Sequence, residues 1–333
     1  MSISHEVILQ PAGGRFRCEE GQTVLEAALA AGYLLPHSCR AGTCGLCALP
    51  LVAGSVEAVS PPPAEAFVPP AGSCLTCQSR PRSDLTLDAP QMGAEPGQRT
   101  VTAGARVVAV ERPSADVAVL ALQVPPAAGF RFQAGQYIDI LLRDGARRSY
   151  SMANAPDDEG LIELHVRHIP GGRFSEHAYT RLKPRDLLRV EGPFGSFGLR
   201  PGDAPIILLA SGTGYAPIAS MLKTHGDEIR RRGATLYWGG RRLQDLYAVS
   251  SVEAWEAAHP GIRFVPVLSE PDNGWQGRTG LVHQAVLDDH PRLDVHEVYA
   301  CGNPLMIDAA RQSFCRDRGL PEHRFFSDAF LPR

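Results

Sequence analysis

The spacing of apolar and polar residues changes twice along this 333-residue chain. From about residue 106, short β-rich runs follow one another with turn residues between them, which predicts an antiparallel barrel. The predicted barrel strands cover residues 106–110, 117–124, 137–142, 161–166 and 187–190.

After residue 201, apolar runs typical of buried strands alternate with helical stretches. Such alternation predicts a parallel α/β sheet with crossover helices. The predicted strands are 206–210, 236–238, 264–268 and 298–300, with a first helix over 218–231.

The N-terminal part ends in a strand-like run, 84–88, which is followed by a linker-like stretch rich in Pro and Gly. Two proline clusters, at Pro61 to Pro63 and at Pro69 and Pro70, indicate a long loop inside this part. We therefore predict a first domain over 1–92, a linker over 93–101, a barrel over 102–200 and an α/β domain over 201–333.

Four cysteines follow the ligand spacing of plant-type [2Fe–2S] clusters: Cys39, Cys44, Cys47 and Cys77. Gly42 and Gly45 lie within the short loop that carries the first three. Glycine allows backbone angles closed to other residues, so this loop can wrap closely around a cluster. The spacing predicts a first domain of ferredoxin (β-grasp) type that carries one electron at a time.

Two other interpretations of the cysteines remain open. Cys44 and Cys47, together with Cys74 and Cys77, have the spacing of two zinc knuckles, but zinc would leave Cys39 unexplained. Disulfides are a third possibility, although eight cysteines are few for a disulfide scaffold of this length. On the iron–sulfur interpretation Cys74 is a buried apolar residue, and so are Cys18 and Cys315.

Composition excludes several classes of protein. The formal net charge is −3, and the one basic run, Arg230 to Arg232, is interpreted as a solvated helix end, so nucleic acid is not expected as a partner. The longest apolar run, 206–210, is far below the roughly 20 residues that a membrane span needs. The first residues do not resemble a signal peptide. We therefore expect a cytoplasmic monomer.

A nucleotide site is indicated where the first predicted parallel strand meets a helix. Gly212, Thr213 and Gly214 form a turn whose amides can approach a pyrophosphate, and Pro217 suits the first turn of the following helix. The signal is weak alone, because Pro217 stands where G-x-G-x-x-G has its third glycine.

Three further motifs give this turn its context. They are Arg148-Ser149-Tyr150-Ser151 in a barrel strand, Gly171-Gly172-Arg173-Phe174-Ser175 before a helix, and Ala300-Cys301-Gly302-Asn303-Pro304 after the last parallel strand. Together these motifs resemble the ferredoxin–NADP reductase superfamily over nearly the whole chain. The chain is similar to the reductase components of benzoate and terephthalate dioxygenases, and to the reductase of a CDP-deoxyhexose dehydratase.

The resemblance implies a flavin site in the barrel, with FAD rather than FMN. Arg148 would pair with the pyrophosphate, Tyr150 would lie on the isoalloxazine face, and the Ser151 hydroxyl would reach N5. The second motif would hold phosphate through its amides and the Ser175 hydroxyl. The other implied flavin residues are His165, Val166, Arg167, Gly171, Gly172, Arg173 and Phe174.

The resemblance also implies a nicotinamide site at the carboxyl edge of the parallel sheet. Cys301 would lie beside the nicotinamide, and Gly302, Asn303 and Pro304 would line the site. Phe330 would cover the exposed flavin face, so Ser151, Cys301 and Phe330 would surround the hydride-transfer position. Phe325 and Phe326 could equally form a plain core cluster.

The choice of nicotinamide cofactor rests on conflicting signals. Arg241 and Arg242 follow the second parallel strand, where no acidic residue stands to hold a ribose hydroxyl, and arginine can bind a 2′-phosphate. Relatives with a similar Gly-x-Arg…Asp-Leu-Tyr stretch nevertheless use NADH. We expect NADH by a narrow margin, with NADPH possible.

The implied function is electron transfer from NAD(P)H through flavin and a [2Fe–2S] cluster to a partner protein. Flavin is needed because a hydride carries two electrons and the cluster accepts one. A Rieske-type aromatic-ring dioxygenase is the favoured partner. The alternatives are a CDP-deoxyhexose dehydratase, a stand-alone flavin or quinone reductase, and a zinc-stabilised protein without enzymatic activity.

Overall fold

The computed structural model describes residues 4–11, 13–59, 66–90 and 99–330. The prolines at 61–63 and most of the predicted linker over 93–101 lie outside these residues. The chain divides into two compact units, one of residues 1–101 with 192–196 and one of residues 102–191 with 197–333. Among the described residues, no helix has both the length and the apolar character to cross a membrane.

The first unit contains a five-stranded sheet in the order β2-β1-β7-β3-β5, in which β1 and β7 are parallel. Alternate residues of β1, such as Val7 and Leu9, are fully buried, as expected for a sheet with one face on a core. Its elements are β1 (Ser4–Gln10), β2 (Gly14–Glu19), α1 (Val24–Ala30), β3 (Ala48–Ala53), β4 (Val56–Ala58), β5 (Ser73–Leu75), β6 (Ser79–Pro81) and β7 (Leu85–Asp88).

The second unit begins with six strands in the order β11-β10-β13-β8-β9-β12. The two outer strands meet through an antiparallel bridge between Met152 and Leu164, so the sheet curves into a barrel. Its elements are β8 (Val101–Ser114), β9 (Val117–Gln123), β10 (Tyr137–Leu141), β11 (Arg147–Ser151), β12 (Leu161–Arg167), α2 (Ser175–Thr180) and β13 (Leu187–Phe194). The predicted barrel is confirmed.

The rest of the second unit is a parallel sheet in the order β17-β16-β15-β14-β18-β19. Its central strands, β14 and β18, are buried along nearly their whole length, as expected where helices cover both faces of a sheet. The elements are β14 (Ile206–Ser211), α3 (Tyr215–Arg232), β15 (Ala234–Gly240), α4 (Val249–Ala258), β16 (Ile262–Leu268), β17 (Arg278–Thr279), α5 (Val282–Asp289), β18 (Glu297–Gly302), α6 (Pro304–Arg318) and β19 (Phe325–Ala329).

Two sequence-based expectations were wrong in part. Arg230 and Arg231 are exposed, but Arg232 is buried and its guanidinium lies 2.6 Å from the Glu297 carboxylate, so the run is not simply a solvated helix end. Cys315 is half-buried on α6, whereas Cys18 and Cys74 are buried as expected.

The C-terminal aromatic residues belong to a strand that sequence patterning did not predict. Phe325 opens β19 and is buried in the core under the sheet. Phe326, on the opposite face, stacks on Tyr299 with ring centroids 4.9 Å apart. Both rings therefore anchor the last strand, as the core-cluster alternative held.

Candidate functional site

The four cysteines with cluster spacing form two pairs in the first unit. The Sγ atoms of Cys47 and Cys77 lie 3.2 Å apart. Cys39 and Cys44 are hydrogen-bonded to each other through their thiols, and the amide of Ala41 donates to Cys39 Sγ at 3.3 Å. Two pairs of thiols match a two-iron cluster, in which each iron takes two thiolates from the protein.

Within each pair, one thiol is predisposed to ionise. The hydrogen bond from Cys44 lowers the pKa of Cys39 to about 4, although burial opposes this. The same arrangement lowers the pKa of Cys77, which is hydrogen-bonded by Cys47. The hydrogen bonds with Cys39 and Cys77, together with burial, raise the pKa of the partner thiols Cys44 and Cys47. Each pair therefore offers one thiolate, and the second thiol loses its proton when iron binds.

The loop that carries these cysteines requires its two glycines. Gly42 and Gly45 have φ of 77° and 74°, which residues with a Cβ rarely adopt. A Cβ on Gly45 would also lie 2.7 Å from the Phe67 ring. Cys74 is outside the pairs, and its thiol is hydrogen-bonded with Ser79, which favours the iron–sulfur interpretation over zinc knuckles.

In the barrel, Arg148 and Tyr150 are two residues apart on β11, so their side chains share one face of the strand, and both are half-buried. Ser151 ends the strand and is buried. The Tyr150 ring lies 5.4 Å from the ring of Phe174, at 53°. Burial raises the pKa of Tyr150, so its hydroxyl remains protonated. The structure thus brings the first flavin motif next to the second.

The second motif forms a tight turn before α2. A Cβ on Gly172 would lie 2.2 Å from Ser175 Oγ and 2.8 Å from the carbonyl oxygen of Ile169, so the turn needs glycine there. Gly171 has φ of 72°, and Arg173 pairs with Asp144 at the surface. Phe174 and Val166 are both buried, and the Phe174 ring lies against that of Tyr150.

At the edge of the parallel sheet, the glycine turn packs directly against the end of β18. A Cβ on Gly214 would lie 2.2 Å from the carbonyl oxygen of Cys301. Gly302 has φ of 129°, and a Cβ there would lie 2.3 Å from Ser211 Oγ. The two sequence motifs therefore form one surface, and glycine is required on both sides of it.

Two helices, α6 and α3, follow the two motifs that form this surface. The Asn303 side chain caps α6 by accepting from the amide of Leu305, and Pro304 occupies the first helical position. Pro217 is in the first turn of α3, although this helix begins at Tyr215, three residues before its predicted start.

Cys301 is fully buried, and burial, reinforced by Asp328, raises the pKa of its thiol. The sulfur is therefore a neutral thiol. The amide of Phe330 donates to the carbonyl of Gly302 at 2.8 Å, which places the predicted aromatic cover beside this edge of the sheet.

The two arginines that follow β15, Arg241 and Arg242, contact the buried carboxylate of Asp245. Asp245 is 7% exposed and accepts from the amides of Arg241 and Arg242, at 2.8 and 3.1 Å. The Arg241 side chain is 67% exposed. Asp245 thus accepts from two backbone amides and also lies 3.7 Å from Arg241 Nε, while both arginine side chains remain largely exposed.

Sequence reasoning missed the aromatic residues behind the glycine turn. Trp238 donates from Nε1 to the carbonyl of Gly212 at 2.9 Å, and Tyr215 stacks on Trp238 with centroids 4.3 Å apart. Tyr247 meets the edge of Trp238 and accepts or donates a 2.7 Å hydrogen bond with His165. The Asp-Leu-Tyr stretch of the sequence includes Tyr247, but no residue spacing indicated that its hydroxyl bonds with His165.

Three family descriptions match successive parts of the chain. Residues 7–82 match a 2Fe-2S iron-sulfur cluster binding domain, residues 104–198 an oxidoreductase FAD-binding domain, and residues 208–312 an oxidoreductase NAD-binding domain. These matches confirm the predicted fold class, the [2Fe–2S] cluster, FAD and a nicotinamide nucleotide, while the choice of NADH over NADPH stays a prediction.

Relatives match over nearly the full length. A CDP-6-deoxy-L-threo-D-glycero-4-hexulose-3-dehydrase reductase from Yersinia pseudotuberculosis is 41% identical, covering 99% of each chain. Component 1 of the terephthalate 1,2-dioxygenase reductase from Comamonas is 35% identical, covering 98% of each.

Solved structures show the same architecture. An Amycolatopsis cytochrome P450 reductase has a TM-score of 0.83 at 32% identity, covering 98% of this chain and 99% of that one. The FAD/NAD-binding domain of a Vibrio cholerae nitric oxide dioxygenase has a TM-score of 0.61 at 18% identity, and it covers 70% of this chain and 100% of its own. The present chain belongs to the ferredoxin–NADP reductase superfamily and is an NAD(P)H-dependent iron–sulfur flavoprotein oxidoreductase.

Proposed function

We propose that this protein passes electrons from a nicotinamide nucleotide, through FAD and a [2Fe–2S] cluster, to a separate acceptor protein. One observation carries the proposal: a single chain holds both a paired four-cysteine site and a glycine turn packed against Cys301. Bound flavin would accept a hydride and release electrons singly, which is chemistry that no side chain supplies.

The side chains of the chain hold and orient the cofactors in this proposal. Cys39, Cys44, Cys47 and Cys77 ligate the cluster. In the barrel, Arg148 neutralises the flavin pyrophosphate, and Ser151, buried at the end of β11, offers a hydroxyl to the ring system. The phosphate turn at Gly172 keeps its backbone close to the ligand because it lacks a Cβ.

Arg167 fits the nucleotide turn better than the flavin. Its Nε and Nη2 donate to Asp116 at 2.9 and 2.8 Å, which fixes the guanidinium on the barrel. Its remaining nitrogen, Nη1, is 2.9 Å from where a Cβ of Gly212 would be. We therefore assign Arg167 to the phosphates of the nicotinamide nucleotide.

Cys301 and Phe330 complete the proposed hydride site. The neutral Cys301 thiol is a small, polarisable wall for a nicotinamide ring. Phe330, held by the bond from its amide to Gly302, supplies an aromatic cover at the same sheet edge. Both residues are positioned by β18, because Cys301 lies on this strand and Phe330 follows β19, which pairs with it.

Two classes of acceptor are proposed. Sequence analysis favours a Rieske-type dioxygenase, and a terephthalate dioxygenase reductase is among the relatives. The higher identity of 41% with a CDP-hexulose dehydrase reductase favours the alternative, a deoxyhexose dehydratase. No disulfide joins the cysteines of the described residues, which suits a reducing cytoplasm, where we propose that the protein acts as a monomer.

The test supplies NADH and the purified holoprotein to each acceptor in turn. Reduction of a Rieske dioxygenase or of a CDP-hexulose dehydratase should be at least tenfold faster than reduction of free flavin under the same conditions. If free flavin is reduced fastest and neither acceptor turns over, the stand-alone flavin reductase is the correct function.

A further inference from the structure

One face of strand β12 carries a polar row that meets the α/β domain. Ile162, Leu164 and Val166 point into the barrel core and are fully buried. Because side chains alternate along a strand, Glu163, His165 and Arg167 share the opposite face.

Each member of the row meets a different element of the α/β domain. Glu163 Oε1 is 2.9 Å from Nζ of Lys223 on α3. His165 Nδ1 is 2.7 Å from the Tyr247 hydroxyl, and Arg167 lies against the glycine turn. Of these three barrel side chains, only that of His165 is buried.

The direction of the hydrogen bonds in this row follows from the charge of Glu163. Its pKa is lowered to about 2, first by the hydrogen bond from His165, so it is a carboxylate and can only accept. His165 Nε2, 3.2 Å from Glu163 Oε1, therefore carries the proton. Burial lowers the pKa of His165, so the ring is neutral and Nδ1 must accept from the Tyr247 hydroxyl.

Tyr247 connects this bond to the nucleotide turn. Its ring packs edge-on against Trp238, with centroids 5.2 Å apart at 87°. Trp238 in turn donates to the carbonyl of Gly212. The rings of Tyr247 and Trp238 therefore form a continuous chain of contacts from His165 on β12 to Gly212, the first residue of the glycine turn.

We propose that His165 and Tyr247 form a latch that sets the distance between the flavin barrel and the nicotinamide site, and that Tyr247 is a positioning residue for hydride transfer. In that transfer a hydride leaves the dihydronicotinamide, which is oxidised, and joins the flavin, which is reduced. The latch rests on the proposed function. It contributes geometry alone, because neither residue exchanges a proton or electron in this step.

The first test removes only the hydroxyl. Tyr247→Phe keeps the ring on Trp238 and leaves His165 Nδ1 without its donor. In single-turnover mixing with saturating NADH, the rate of loss of flavin absorbance should fall at least tenfold, while the Kd for NADH changes less than threefold. A change in Kd with an unaltered rate would assign Tyr247 to binding and overturn the latch.

Further variants distinguish the loss of the His165–Tyr247 hydrogen bond from a general loss of structure at the site. His165→Leu should slow the reaction as much as Tyr247→Phe does, and the double variant should be no slower than either, because both remove the same bond. His165→Asn places an amide oxygen near the position of Nδ1 and should restore the rate to within threefold of the parent. Additive losses, or no rescue by asparagine, would overturn the proposal.

A matched control lies next to Trp238 on β15. Tyr237 is on that strand, and its hydroxyl bonds with Asp289 at 2.9 Å, on the face of the sheet opposite Trp238. Tyr237→Phe should lower stability and leave the rate of flavin reduction within twofold. A tenfold loss in this control would show that removing a tyrosine hydroxyl unconnected to His165 also slows the reaction, and the latch would be rejected.

Amide hydrogen exchange gives a readout that does not depend on activity. Without nucleotide, the amides of 212–215 should exchange faster in Tyr247→Phe and His165→Leu, and at the parent rate in His165→Asn and Tyr237→Phe. Unchanged exchange in the first two variants would refute the latch. If the parent protein itself fails to oxidise NADH or NADPH, the proposed function fails, and the exchange result alone decides the latch.

Discussion

The Sγ atoms of Cys47 and Cys77 are 3.2 Å apart, although thirty residues separate the two cysteines in the chain. The turn that carries Cys77 follows β5, which pairs antiparallel with β3, and β3 begins immediately after Cys47. The pairing of β3 with β5 therefore brings together the two cysteines of one half of the proposed cluster site.

This pairing leads to a ligand test. Cys77→Ala should abolish the visible iron–sulfur absorption while FAD stays bound, because the flavin barrel has its own core. Cys74→Ala is the control: it removes a buried thiol of the same loop and should keep the cluster. Iron and sulfide analysis should give about two of each per chain; zinc in their place would falsify the ligand assignment.

Flavin affinity should depend on Arg148. Arg148→Ala removes a charge-assisted contact with phosphate, which is worth on the order of 1.5–3 kcal/mol, so the Kd for FAD should rise more than about tenfold. Arg189→Ala, an exposed arginine on β13, is the control and should bind FAD normally. If the Arg148 variant keeps its flavin through gel filtration and dilution, another residue binds the pyrophosphate.

The nicotinamide choice can be decided from kcat/KM. We expect a modest preference for NADH. The Arg241 side chain is 67% exposed and offers a site for a 2′-phosphate, which would compete with the Asp245 carboxylate 3.7 Å from its Nε. A clear preference for NADPH that disappears in Arg241→Ala, but persists in a control Arg263→Ala, would reverse this prediction.

A truncated chain should separate hydride transfer from one-electron transfer. A fragment that starts near Gly97 keeps the barrel and the α/β domain, whose strands form their own sheets. It should still reduce ferricyanide with NAD(P)H and should reduce cytochrome c poorly. If it drives the acceptor protein as fast as the whole chain does, the cluster is not on the electron path.

Stability should fall in acid because of Glu163. The His165 hydrogen bond, with Lys223 nearby, lowers its pKa from 4.5 to about 2, so the unfolded chain takes up the proton first as pH falls. The stabilisation is therefore complete above about pH 5 and is lost towards pH 2. Allowing for partial exposure, it amounts to about 1–2 kcal/mol.

Urea unfolding of the parent and of Glu163→Gln at pH 7 and pH 3.5 measures this effect. The difference in the free energy of unfolding should be present at pH 7 and should shrink at pH 3.5. Glu253→Gln, an exposed glutamate on α4, should show no difference at either pH. A difference for Glu163 that is the same at both pH values would contradict the prediction.

Local patterns were sufficient for most of the architecture. Each predicted strand of the barrel and of the parallel sheet overlaps an observed one, because alternating or continuous apolar runs report burial directly. Strand β19 was missed since its apolar residues, Phe325 and Phe326, lie next to each other and are buried on opposite faces. Arg232 was misread because its partner, Glu297, is 65 residues away.

The cofactor-binding motifs could also be predicted from the sequence, because each has a local residue pattern. The Arg148 motif and the glycine turns each occupy a few consecutive residues, and the cysteines have a recognisable spacing along the chain, so sequence by itself indicated the cofactors and the family. What only the tertiary structure decided are relationships between segments: the pairing of Cys47 with Cys77, the contact of Gly214 with Cys301, and the bond between His165 and Tyr247. These depend on register and packing across distant strands, and no local pattern encodes the distance between two residues that meet only when the chain is folded.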